Sequence, residues 1–313
     1  MIKEEFYFDS RDGENRIHAV RYTPDDGNVR GIVQIVHGMA EYVERYENLA
    51  EFLTKRGILV TGEDHLGHGK SVSEGGSFGY FCEQDPATVV VRDVHRLKKI
   101  TEEQYPQVPY IILGHSMGSF IARNYLCRYG SGIGGAVIVG TGMQPAGLIF
   151  ASKAMAGIQK LFCGSKHVSH FIDKAAFGGY NKRIDSPRTS SDWLSRNTEN
   201  VDRYIEDELC GFTFTVNGFQ TLFELIRRLQ KQENLEKVPQ NLPILMVSGA
   251  EDPVGDYGKG VHKACDSLKR AGVKNITVKL YENDRHELLN EDDAETAMED
   301  IWQWICKEIP GIA

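Results

Sequence analysis

The chain of 313 residues is long enough for one large core, or for one core carrying an inserted subdomain. Its 41% hydrophobic and 26% charged residues are those of an ordinary soluble globular protein, and a net charge of −8 with no basic stripe argues against a nucleic-acid partner. The start, Met1-Ile2-Lys3-Glu4-Glu5-Phe6, lacks the basic start and long apolar run of a signal peptide, and no apolar stretch approaches membrane-spanning length. Six scattered cysteines (Cys82, Cys127, Cys163, Cys210, Cys265, Cys306) contain no C-x-x-C pair, which favours reduced thiols in a cytoplasm.

Along the chain, apolar β-branched runs alternate with helical patterns, as in a mostly parallel sheet covered on both faces. Residues 6–8 and 17–22 read as an N-terminal hairpin, followed by core strands at 31–37 and 57–62 with a helix at 45–55 between them. A helix at 87–104 leads to a strand at 110–113, a helix at 119–129 and a strand at 135–140. The alternation stops between Thr141 and Pro239, a segment too long for one crossover, with helical stretches and no clear core strand. The expected architecture is therefore an α/β core of residues 1–140 and 240–313, interrupted by a helical lid at 141–239. Within the lid, residues 146–162 set Ile149, Met155, Ile158 and Phe162 on roughly one face. That stripe either lines an acyl channel, with Met155, Ile158 and Phe162 as substrate contacts, or simply packs the lid onto the body. Strands at 244–248 and 276–281 and helices at 257–271 and 294–307 complete the core.

The strand at 110–113 runs straight into Gly114-His115-Ser116-Met117-Gly118, and a helical pattern starts at once. This is a G-x-S-x-G elbow in its required strand-to-helix context. The turn lifts the serine oxygen out of the sheet and sets it over the first turn of a helix, where backbone N–H groups meet developing negative charge. Ser116 is the expected nucleophile.

A serine hydroxyl needs a base to take its proton, and the base needs an orienting carboxylate. Such groups gather beyond the carboxyl ends of parallel strands. Asp252, in Gly249-Ala-Glu-Asp-Pro-Val-Gly255, follows one strand, while Glu251 and Asp256 read as solvated rivals. His286 lies in the loop after the final core strand. Ser116, Asp252 and His286 stand in the chain order of an α/β-hydrolase. The oxyanion hole needs two backbone donors: Met117 follows the nucleophile, and Met39 follows Gly38, where the chain turns after a strand. His65 and His68 form an incomplete ligand set, so no metal is expected, and acyl transfer by this machinery needs no cofactor.

Five motifs in order, His37-Gly-Met-Ala-Glu41, Asp64-His-Leu-Gly-His-Gly-Lys-Ser71, Gly114-His-Ser-Met-Gly118, Asp252-Pro-Val254 and His286, resemble the monoacylglycerol lipase and lysophospholipase branch of the α/β-hydrolases, of the serine aminopeptidase S33 type. The resemblance implies an α/β-hydrolase fold with a variable cap and a carboxylic ester hydrolase acting on monoacylglycerol, lysophospholipid or similar medium-chain acyl esters. It carries over Ser116, Asp252 and His286 as the triad and Met39 and Met117 as donors. An aminopeptidase or amidase is the alternative, with Glu206, Asp207 and Glu208 to hold a substrate ammonium; a non-catalytic binding protein is a third. The expected partner is a small acyl ester, with transient membrane-surface contact through the lid.

Overall fold

The computed structural model describes residues 1–312. Its strands are β1 (Ile2–Asp9), β2 (Arg16–Thr23), β3 (Gly31–Val36), β4 (Ile58–Glu63), β5 (Tyr110–His115), β6 (Gly135–Val139), β7 (Ile244–Gly249) and β8 (Ile276–Tyr281). They form one sheet in the order β1-β2-β4-β3-β5-β6-β7-β8. β2 is antiparallel to both β1 and β4, and every other pairing is parallel. The N-terminal hairpin thus caps one edge of a parallel sheet.

Helices α1 (Glu47–Thr54), α2 (Pro86–Gln104) and α3 (Met117–Tyr129) follow β3, β4 and β5. Five more lie between β6 and β7: α4 (Ala146–Cys163), α5 (His170–Phe177), α6 (Thr198–Glu206), α7 (Val216–Leu229) and α8 (Gln232–Leu235). α9 (Lys259–Arg270) and α10 (Ala294–Glu308) flank the last strands. β5 shows how the two faces are used. Ile111 and Leu113 join a cluster with Leu49 and Leu53 of α1 and Ile301 and Ile305 of α10. Tyr110 and Ile112 join another with Val94 and Leu97 of α2 and Ile121 and Tyr125 of α3. Burial on both faces is why the central strands read as unbroken apolar runs.

The segment between β6 and β7 adds no strand to the sheet. Its helices are attached very differently. α7 buries Phe219, Leu222, Phe223, Leu225 and Ile226 and packs on α2, α3 and α4, so it belongs physically to the body. α4 buries only Ile149 and Ala156 along 18 residues and leaves most of its surface outside the core.

Candidate active site

β5 ends at His115 and α3 begins at Met117, so Ser116 alone makes the turn, with φ 54° and ψ −121°. A non-glycine residue in that region costs on the order of 1–3 kcal/mol and persists only where the surroundings hold it. The hold is visible. Ser116 N–H donates to the Val139 carbonyl at 3.0 Å, and the Ser116 carbonyl accepts from the Ser119 N–H at 2.9 Å and hydroxyl at 2.6 Å. The flanking glycines permit the turn: a Cβ on Gly118 would collide with the Val36 and His37 carbonyl oxygens, and one on Gly114 with the Gly118 carbonyl. α3 consequently starts two residues before the expected position.

Asp252 and His286 come together from the loops after β7 and β8, with His286 Nδ1 and Asp252 Oδ2 3.0 Å apart. The Ser248 hydroxyl donates to the same oxygen at 3.1 Å, and the Val254 N–H donates to Oδ1 at 2.8 Å. Burial pushes the Asp252 carboxyl upward, but the His286 ring and these two donors outweigh it and hold the group below the ordinary carboxylate range. Asp252 is fully buried, whereas Glu251 and Asp256 are exposed. Gly140 (φ 59°) makes room for the His286 ring, since a Cβ there would lie 3.2 Å from the imidazole. Trp193, with its ring centroid 5.1 Å from that of His286, covers another side.

Ser116 and His286 line one cavity of about 820 Å³, together with Met39 and Met117. Met117 is the first residue of α3, where backbone N–H groups have no intrahelical partner. Gly38 lies against Ser116, since a Cβ on it would be 3.1 Å from Ser116 Cβ. The Gly38 N–H donates to the Glu41 carboxylate, which sets the turn that presents Met39.

The acyl-contact stripe is only partly where the periodicity put it. Met155 lines the cavity with Leu148, Ile149 and Ser152 of the same helix. Ile158 and Phe162 do not: they are 59% and 85% exposed and point to solvent. α4 is about 27 Å long at 1.5 Å per residue, and the cavity lies under its N-terminal half only. At 100° per residue Ile158 stands opposite Ile149, while on the inner side of the last two turns Gln159 accepts from the Ser169 hydroxyl at 2.6 Å. The reading missed Trp193 and Tyr180, which line the cavity, and the pairing of Glu41 with His115 at its inner wall. Glu41 and His115 both sat inside motifs already singled out, but their partners are distant in sequence.

The His65 and His68 rings are buried beside His37. His65 Nε2 lies 3.2 Å from the His37 carbonyl and His68 Nδ1 3.0 Å from the Leu66 carbonyl, so both brace the loop after β4.

A family model described as "Serine aminopeptidase, S33" matches residues 27–293. The chain is 28% identical to rat (Rattus norvegicus) monoglyceride lipase over 92% of its own length and 86% of that protein. It is 27% identical to the monoacylglycerol lipase of Mycolicibacterium smegmatis, covering 92% of each. Among solved structures, a highly thermostable carboxyl esterase from Bacillus coagulans in complex with glycerol superposes with a TM-score of 0.92 at 31% identity, covering all of both chains. With a sheet of this topology, an elbow serine and a match across most of its length, the chain belongs to the serine aminopeptidase S33 family of α/β-hydrolases.

Proposed function

We propose that the chain is a serine esterase that hydrolyses monoacylglycerol-type carboxylic esters through an acyl-serine intermediate. The observation that carries this reading is the strained Ser116 elbow sharing an apolar-lined cavity with the buried His286–Asp252 pair. His286 takes the Ser116 proton as the hydroxyl attacks the ester carbonyl, and the Met39 and Met117 N–H groups receive the oxyanion. The same imidazolium returns the proton to the leaving alcohol. A water then attacks the acyl-enzyme with His286 again as base, releasing the acid and freeing Ser116. Asp252 holds the ring in the tautomer that leaves Nε2 free to accept.

The acyl chain fits the apolar side of the cavity, where Leu148, Ile149, Met155, Phe177, Leu222 and Ile226 gather. A medium-length chain is the expected optimum. We read residues 141–239 as the lid that sets this preference, with α7 as its fixed root. The acids expected to serve the amidase alternative stand outside the cavity: Glu206 and Glu208 are exposed, Asp207 is engaged by the Tyr42 hydroxyl at 2.8 Å, and none of the three lines it.

The outer side of the lid supports a transient contact with a membrane surface. Phe150, Ile158, Leu161 and Phe162 are 59–85% exposed and fall within about 120° of the α4 circumference, beside the 66% exposed Phe171 of α5. No helix among the described residues is long and apolar enough to cross a membrane. A cytoplasmic setting goes with this reading, since all six cysteines are free thiols. The test is a fluorophosphonate probe followed by peptide mass spectrometry, alongside rates on p-nitrophenyl esters and aminoacyl-nitroanilides. The expected result is an adduct on Ser116 and ester turnover far above amide turnover. An adduct on another serine, or faster amide cleavage, overturns the proposal.

A further inference from the structure

The β3–α1 connection with Met39, the elbow with Ser116 and the loop with His286 are joined behind the cavity by His115. The ring is 5% exposed. Its Nδ1 lies 2.8 Å from the Tyr46 hydroxyl and 3.3 Å from Glu41 Oε1, and its Nε2 lies 3.1 Å from the main-chain oxygen of His286. A carbonyl oxygen only accepts, so Nε2 carries a hydrogen. The Tyr46 hydroxyl donates its one hydrogen to Glu41 Oε1 at 2.7 Å and turns a lone pair to Nδ1, so that nitrogen carries a hydrogen as well. With both ring nitrogens donating, the ring is an imidazolium paired to a buried carboxylate.

The pair is itself tied into both neighbouring loops. Glu41 accepts the Gly38 N–H and, through Oε2, Arg45 Nη1 at 2.8 Å. Arg45 continues as a two-pronged pair to Glu287, at 2.7 and 2.8 Å, and Glu287 is the residue after the proposed base. Burial works against a charged His115, but the hydrogen bond and charge of Glu41 outweigh it and favour the protonated ring. The titratable groups around the ring are His37, Glu41, Arg45 and Tyr46 from the β3–α1 side and His286 and Glu287 from the loop after β8.

Resting on the esterase reading above, we propose that His115 is a positioning residue held as a buried cation: it keeps Met39, Ser116 and His286 in register and, by its charge, keeps the neighbouring base neutral at rest. The His115 and His286 ring centroids are 4.8 Å apart, so a resting proton on His286 meets a like charge one ring away. A purely structural role for His115 would not move the pH profile. A charged one does.

The experiment compares wild type, His115→Gln and the double variant Glu41→Gln/His115→Gln on a p-nitrophenyl ester between pH 4.5 and 9. In His115→Gln the repelling cation is gone while Glu41 remains, so the acid limb of kcat/KM moves up by about one pH unit. Loss of register lowers kcat about tenfold or more, with little change in KM for a short ester. The double variant loses both charges, so its limb moves up by about half a unit. It also carries the test if the single variant, left with an unbalanced buried carboxylate, fails to fold. A limb within about 0.2 unit of wild type, in the folded variants of an active enzyme, overturns the inference. A wild-type protein inactive on esters overturns instead the esterase reading, so the two failures are told apart.

Discussion

Replacing Asp252 with Asn keeps the volume and changes only where hydrogens sit, so the structure sets the size of the effect. The carboxylate now accepts three hydrogen bonds: from the His286 ring and the Ser248 hydroxyl on Oδ2, and from the Val254 N–H on Oδ1. An amide can be placed two ways. With its NH₂ toward Val254, two buried donors face each other at about the present 2.8 Å, an unsatisfied contact costing on the order of 1–3 kcal/mol. With its NH₂ toward His286, Val254 is satisfied and the hydroxyl can turn. The imidazole must then leave Nδ1 bare and carry its hydrogen on Nε2. That tautomer cannot accept the Ser116 proton. The second placement is favoured, and kcat/KM should fall about 10⁴-fold, equivalent to about 5.5 kcal/mol of transition-state stabilisation. The assay is p-nitrophenyl butyrate hydrolysis across pH, with thermal unfolding to confirm an intact fold. Asp256→Asn is the control, since that carboxylate is exposed and its nearest cation, Lys263, is 3.9 Å away. An Asp252→Asn enzyme within about tenfold of wild type, or a crippling effect at Asp256, would falsify the assignment.

Ser116→Ala should lower kcat by about 10⁴-fold or more and abolish labelling by the fluorophosphonate while leaving Tm near that of wild type. Gly118→Ala should yield little folded protein, because its Cβ has no space against the Val36 and His37 carbonyl oxygens; a normal Tm would show that the elbow is looser than described. On α4, Met155→Asp should depress turnover of longer p-nitrophenyl esters far more than of acetate, because each buried acyl CH₂ contributes about 0.8 kcal/mol. The double variant Ile158→Asp/Phe162→Asp should leave that chain-length profile intact and weaken sedimentation with phospholipid vesicles; the opposite pattern would reverse the two faces of the lid. Asp252 and Glu41 bind protons less tightly folded than unfolded, so their stabilisation is complete only above about pH 5 and is lost as pH falls toward the lowered folded-state values. Calorimetry from pH 7 to 3 should show Tm declining, and a flat Tm would contradict it.

The central strands and the core helices were legible to within a few residues, because burial on both faces forces unbroken apolar runs, and these are local; the exposed edge strand β1, expected at 6–8, extends over Ile2–Asp9. The elbow was legible for the same reason: glycines at 114 and 118 answer to a turn that one residue must make. Asp252 and His286 could be brought forward as candidates because catalytic groups in such sheets follow strand ends, and strand ends are read from the chain itself; the structure sets the two 3.0 Å apart. The start of α3 was misplaced by two residues, since one strained serine does the work of a longer turn. The stripe on α4 was seen as apolar, but periodicity states only that a helix has an apolar side. How far the cavity extends beneath it depends on α5, α7 and the loop carrying Trp193, so Met155 faces inward while Ile158 and Phe162 overhang solvent. The links from Glu41 to His115, 74 residues away, and from Arg45 to Glu287, 242 residues away, were likewise invisible. Such pairings are chosen by which loops the sheet order brings side by side, a property of the folded chain that no local pattern carries.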